Sequence, residues 1–122
     1  MIPPIFATLS NDATVTAIIG SGNACKCYPF GYAPQGTSVP YVSWLTVSGT
    51  PENKLLGGSF CDVMRVQVDC WSNSGTQALA LAEAVRTSIE SIGYMVSLNP
   101  VDKDTETKLI RYSMDFELIV NR

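Results

Sequence analysis

Two segments of the chain alternate between apolar and polar side chains with a period of two, and together they restrict what it can fold into. From Cys61 to Ser72, Met64, Val66, Val68 and Cys70 fall on one side and Arg65, Gln67 and Asp69 on the other. From Leu109 to Val120, Ile110, Tyr112, Met114, Phe116, Leu118 and Val120 oppose Leu109, Arg111, Ser113, Asp115 and Glu117. Successive side chains of a strand point to opposite faces, so each segment reads as a strand with one face on a core. Both need an apolar layer over one face. The helical segments must supply it.

The strongest helix begins at Asn73-Ser74-Gly75-Thr76-Gln77. Ser74 with Gln77 three residues later fits a capping box. Ala78, Ala82, Val85, Ile89 and Ile92 share one side, and Gly93 is the expected stop. The first twenty residues read as a helix started by Pro3 and Pro4 and interrupted at the capping cluster Ser10-Asn11-Asp12. Val15, Ile18 and Ile19 continue its apolar side to Gly20. Shorter strands are predicted at Ala24 to Tyr28, Tyr41 to Ser48 and Tyr94 to Leu98. Phe30 to Pro40 reads as an irregular loop and Asn99 to Thr107 as the turn of a hairpin. Gly49 to Phe60 holds Pro51, Gly57 and Gly58 and is expected to be a long working loop. The order is helix, three strands, helix, two strands. It predicts an α+β fold with an antiparallel sheet of about four to five strands and helices on one face. At 122 residues, with no linker or repeat, one domain over residues 1–122 is expected.

Composition narrows the function. Charged residues make up 16% of the chain, against roughly 25% in ordinary soluble domains. Such a shortage favours neutral or apolar surface of the kind that protein interfaces use. The net charge is −3 and no Lys/Arg cluster appears, which argues against a phosphate-gripping surface. No apolar run reaches the roughly 18 residues a bilayer crossing needs. The start lacks the positive region of a secretory signal, so the chain is read as made in the cytoplasm.

Little catalytic chemistry is on offer. With no His, the usual general base and most triads are gone. Cys25, Cys27, Cys61 and Cys70 have no metal-site spacing and are expected as buried small hydrophobes. Lys26 would point away from its flanking cysteines and activates neither. Asp115 and Glu117 share a strand face and read as surface carboxylates. Asp102 to Glu106 lacks the glycine and spacing of a calcium loop. No catalytic residue, metal or cofactor is assigned. Tyr28, Phe30, Tyr32, Tyr41 and Trp44 read as core or interface packing.

Several short blocks occur in an order that resembles the tail terminators, or tail-completion proteins, of tailed bacteriophages. They are Cys27-Tyr28-Pro29, Ala33-Pro34-Gln35-Gly36-Thr37 leading to Pro40-Tyr41-Val42, Ser48-Gly49-Thr50-Pro51, and Arg65-Val66-Gln67-Val68-Asp69-Cys70-Trp71. Ala78, Ala82, Val85 and Arg86 stand where that family's helix carries small and apolar residues. The resemblance implies a non-enzymatic structural protein of the virion. It implies a homo-hexameric ring on the head-proximal end of the tail tube, ending tube polymerisation and docking the head connector (stopper). DNA would pass through that ring without specific binding. A head–tail joining protein, a tube subunit, or a small cytosolic ligand-binding domain or enzyme are the alternatives. Candidate contacts to the next subunit or the tube are Gly49, Thr50, Pro51, Glu52, Asn53, Lys54, Leu55 and Leu56 in the long connection. Arg65, Gln67 and Asp69 on the polar strand face are the others.

Overall fold

The computed structural model describes residues 4–22, 25–29, 38–54, 58–99, 101–103 and 109–121. The elements are α1 (Ile5–Ser10), α2 (Ala13–Ile19), β1 (Cys27–Pro29), β2 (Tyr41–Lys54), β3 (Gly58–Ser72), α3 (Gly75–Ile89), β4 (Gly93–Leu98), β5 (Asp102–Lys103) and β6 (Ile110–Asn121). The strands form one sheet in the order β1-β2-β3-β6-β4, with β5 added to β6 alongside β4. The α+β class is as expected. The sheet is mixed, because β1 pairs parallel with β2 while every other pair is antiparallel.

The two alternating segments become the sheet's central ladder. β3 and β6 pair without a slip from Cys61 opposite Asn121 to Ser72 opposite Ile110. Their even-numbered side chains Val66, Val68, Cys70, Met114, Phe116 and Leu118 are buried. The helices supply the cover: α3 packs on β3 and β6, and α1 and α2 pack on α3. Ile5, Leu9, Val15, Ile19, Leu81, Val85 and Ile89 join the strands in one core cluster.

Caps set the helix limits. Asp12 accepts from the backbone N–H of Thr14 (2.9 Å) and of Val15 (3.1 Å), so the chain breaks after α1 and restarts as α2. Ser74 caps α3 by accepting from the Gln77 N–H. The return half of the box is relayed: Ser72 Oγ donates to the Gln77 carboxamide at 2.7 Å and accepts from the Ser74 N–H at 3.1 Å. α3 stops at Ile89, three residues before the predicted end, and Ser91 and Ile92 form a turn. Gly93 therefore does not cap the helix. It opens β4, where a Cβ would collide with the Glu117 carbonyl oxygen and with Leu118.

The long connection is also not as expected. Gly49 to Phe60 is not an irregular loop: β2 runs on to Lys54 and β3 begins at Gly58, in a long antiparallel arm. β1 covers β2 only from Val42 to Trp44. Pro51 stands further along, opposite Asp62, where β2 has no outer neighbour among the described residues. A proline fits a strand where its nitrogen faces an open edge, so Pro51 does not end this one. Leu55, Leu56 and Gly57 lie outside the described residues, as does the Ala33–Thr37 block. Asn99 to Thr107, read as a plain turn, contains β5.

Candidate functional site

The sheet face away from the helices is built by the odd-numbered residues of β3 and β6, with Tyr41, Ser43 and Leu45 of β2 in register. Its centre is not a solvated surface. Ser43, Asp69 and Ser113 lie side by side on three strands and are buried, Asp69 to 6% relative exposure. Their side-chain polar atoms bond to neighbouring residues. The Gln67 carboxamide donates to both Asp69 oxygens at 3.2 and 3.3 Å. Trp71 Nε1 donates to Ser43 Oγ at 3.0 Å, and Asn99 Nδ2 donates to Ser113 Oγ at 3.1 Å. Ser97 Oγ donates to one Asp115 oxygen at 3.1 Å. The other Asp115 oxygen is buried with no partner among the described residues.

An aromatic row crosses one end of this face. Tyr28 meets Tyr41 edge-on with ring centres 6.2 Å apart, and Tyr41 stacks on Trp71 at 5.8 Å. The Arg111 guanidinium lies 5.8 Å from the centre of the Trp71 ring. Partial burial, and then the neighbouring Tyr28, raise the Tyr41 pKa. At the other end, Arg65 pairs with Glu117 at 3.6 Å with both side chains partly in solvent. Glu117 raises the pKa of the adjacent Tyr94.

The predicted contact residues thus fall on two surfaces. Gly49 to Lys54 line the arm of β2, paired with Met64 down to Gly58 of β3. Arg65, Gln67 and Asp69 are adjacent odd positions of β3. Arg65 is exposed, Gln67 half-buried and Asp69 buried. The arm extends past β6, whose last partner on β3 is Cys61.

The sequence reading missed a third surface. β4 closes the far end of the sheet and leaves Tyr94, Val96 and Leu98 exposed. A groove of about 160 Å³ runs between α3 and the β4–β6 ladder. Leu79, Met95, Leu98 and Met114 line it, with Glu83 and Arg86 at its rim. The signal was present: Gly93 to Leu98 holds neither Lys nor Pro, the usual guards of an edge strand.

The cysteines fit the inert reading. Cys25, Cys27 and Cys70 are buried free thiols, while the Cys61 side chain lies outside the described residues. Burial, and then the nearby Cys25, push the Cys27 thiol up to about 12. Burial first, then Asp69, raises Cys70. Each stays a neutral thiol near neutral pH, the opposite of a nucleophile's environment. Lys26 Nζ is engaged with the Ser38 carbonyl at 3.1 Å. Among the described residues, no three His, Cys, Asp or Glu side chains are placed to hold a metal ion.

Comparison with known proteins adds two findings. A family model described as tail completion protein gp17 matches residues 3–121. Among solved structures, a chain described as "Virion of native gene transfer agent (GTA) particle" has a similar fold. It is 17% identical, with a TM-score of 0.66, over 97% of this chain and 92% of that one. No curated protein matches the chain.

Proposed function

The chain belongs to the tail completion protein gp17 family, structural proteins of the phage tail, and on that premise we propose that six copies form a ring capping the head-proximal end of the tail tube. The ring ends tube polymerisation and presents a docking face to the head connector. The observation that carries this reading is the family match across residues 3–121. The similar chain from a gene transfer agent virion supports it at the level of the fold.

The mechanism is geometric. A subunit must match the last tube ring on one side and admit no further ring on the other. Closed rings need heterologous contacts, in which one patch meets a different patch on the next copy. The arm of Gly49 to Lys54, with Leu55 and Leu56, is assigned to the neighbouring subunit or the tube. Arg65, Gln67 and Asp69 are assigned to a neighbour or to the ring's inner wall. A wall on a chain of net charge −3 repels phosphates, so DNA slides through without a sequence-specific grip. No bond-making step is required of any side chain.

Removing the gene from its particle tests the reading. Overlong tubes of variable length, corrected when the chain is supplied separately, are the expected result. Tubes of normal length left unattached to heads would reassign the protein to head–tail joining. A shortened arm, lacking residues 52–57, should lose ring assembly. Unchanged oligomer mass and tail length would remove the arm from the interface.

A further inference from the structure

Exposed apolar side chains are not scattered over this molecule. Seven large ones are exposed among the described residues: Phe6, Val47, Leu79, Tyr94, Val96, Leu98 and Val101. Tyr94, Val96 and Leu98 lie on β4, Val101 just past it, and Leu79 on α3 across the groove that Leu98 lines. Val47 lies at the opposite end of the sheet, on β2 beyond the reach of β1. Single exposed apolar residues need no explanation, but a cluster along an edge strand that holds neither Lys nor Pro, broken only by a register shift between Met95 and Ser97, marks a contact surface.

A strand edge also carries a row of backbone donors and acceptors that only another strand can match in full. Among the described residues the two longest such edges are β4, with β5 beyond it, and β2 over residues 45–54; the outer side of β1 adds only three residues. Their directions are matched. β2 is antiparallel to β3, β3 to β6, and β6 to β4, so β2 and β4 run in opposite directions. A second copy turned about an axis along the strands keeps those directions. Its β2 then meets β4 of the first copy antiparallel and continues the alternation of the sheet. With an odd number of antiparallel strands the same operation would bring two parallel edges together.

We propose that the seam between subunits is an antiparallel pairing of β4 with the outer edge of β2, residues 45–54, of a second copy of this chain. The partner is a copy rather than another protein because one chain carries both halves, at opposite ends of one sheet. The contact is heterologous, as ring closure requires. The neighbour's Val47 is a described apolar side chain on the incoming edge, available to cover Leu98 and the groove beside it. The proposal rests on the ring reading above and adds to it which two edges meet.

The test separates the two. Native mass spectrometry of the unmodified chain, alone and on isolated tails, establishes whether a ring exists. A single copy in both settings overturns the ring, and the seam with it. Where the ring exists, p-benzoylphenylalanine in place of Val47 is photo-activated. Its cross-links should join two copies and map to the tryptic peptide 87–103, which contains β4. Cross-links confined to other peptides, or to another protein, overturn the seam and leave the ring standing. Leu98→Lys alters a side chain 55% exposed in the single copy. It should leave a folded monomer and abolish the ring; a ring of unchanged mass counts against the seam.

Discussion

The two faces of the sheet bury their residues by different means. On the helix side, Val66, Val68, Phe116 and Leu118 have no exposure, and the force that holds them is the removal of apolar surface from water. On the other side Ser43, Asp69 and Ser113 are nearly as buried, yet none of the helices among the described residues covers them. They are tolerable there because cross-strand neighbours satisfy them: Trp71 bonds Ser43, Gln67 bonds Asp69 and Asn99 bonds Ser113. The first face stabilises the fold. The second holds polar groups at its centre that are buried in the single chain and already bonded to their neighbours.

The largest expected effect breaks the first face. Phe116→Ala removes a fully buried ring from the middle of the core. It should cost about 3–5 kcal/mol, since the surroundings collapse only partly into the cavity. Urea or thermal unfolding of the variant measures it. A loss no larger than that of a polar-face variant would erase the distinction between the faces.

Alkaline pH probes the same side through its thiols. Cys27 is held up to about 12, against an ordinary value of 9.0. Between those values the unfolded chain releases a proton that the folded chain retains. Its contribution is therefore whole below pH 9 and is lost as pH rises through that window. The loss runs at about 1.4 kcal/mol per pH unit for one thiol. Unfolding free energies at a series of pH values from 8 to 11 should show the slope, to which the raised Cys70 adds its own share, and Cys27→Ala should lower it by about 1.4 kcal/mol per pH unit.

The polar face yields a smaller effect of a different kind. Ser43→Ala leaves Trp71 Nε1 without the hydroxyl that accepts its proton at 3.0 Å. The expected cost is about 1 kcal/mol, the low end of the range for a stranded donor, because Trp71 is only partly buried. An unchanged melting temperature would mean the network is not what makes burial on this face tolerable.

The same contrast explains what could be read in the chain. β3, β6 and α3 were legible because their signals are local: a period of two over twelve residues, and Ser74 with Gln77 at the helix start. The early stop of α3 was not, since Gly93 carries two possible meanings and only the close approach to Glu117 and Leu118 chooses between them. The arm was misread because Pro51 bars a strand only where both of its edges are used. Which edges are open is a property of the whole sheet. The parallel pairing of β1 escaped for the same reason: a short strand was expected at Ala24 to Tyr28, but its partner lies across a connection of more than ten residues. Of the candidate surfaces, the arm and the odd residues of β3 were visible in the sequence. The β4 edge left only a faint trace, the lack of Lys and Pro from Gly93 to Leu98, and the groove beside it left none, because Leu79 and Leu98 come together only through packing.

Arg65 gives the smallest expected effect and the sharpest test of the second face. Its pair with Glu117 is 3.6 Å long and partly solvated on both sides, so Arg65→Ala should change the stability of the single chain by about 0–1 kcal/mol. If this face meets a neighbour, the same guanidinium is drier in the assembly and its loss weighs more there. The variant should then unfold as the wild type does, while its ring dissociates at lower salt than the unmodified ring. Equal salt sensitivity of the two rings would return Arg65 to the solvent-facing surface and leave the arm and the β4 edge as the candidate contacts.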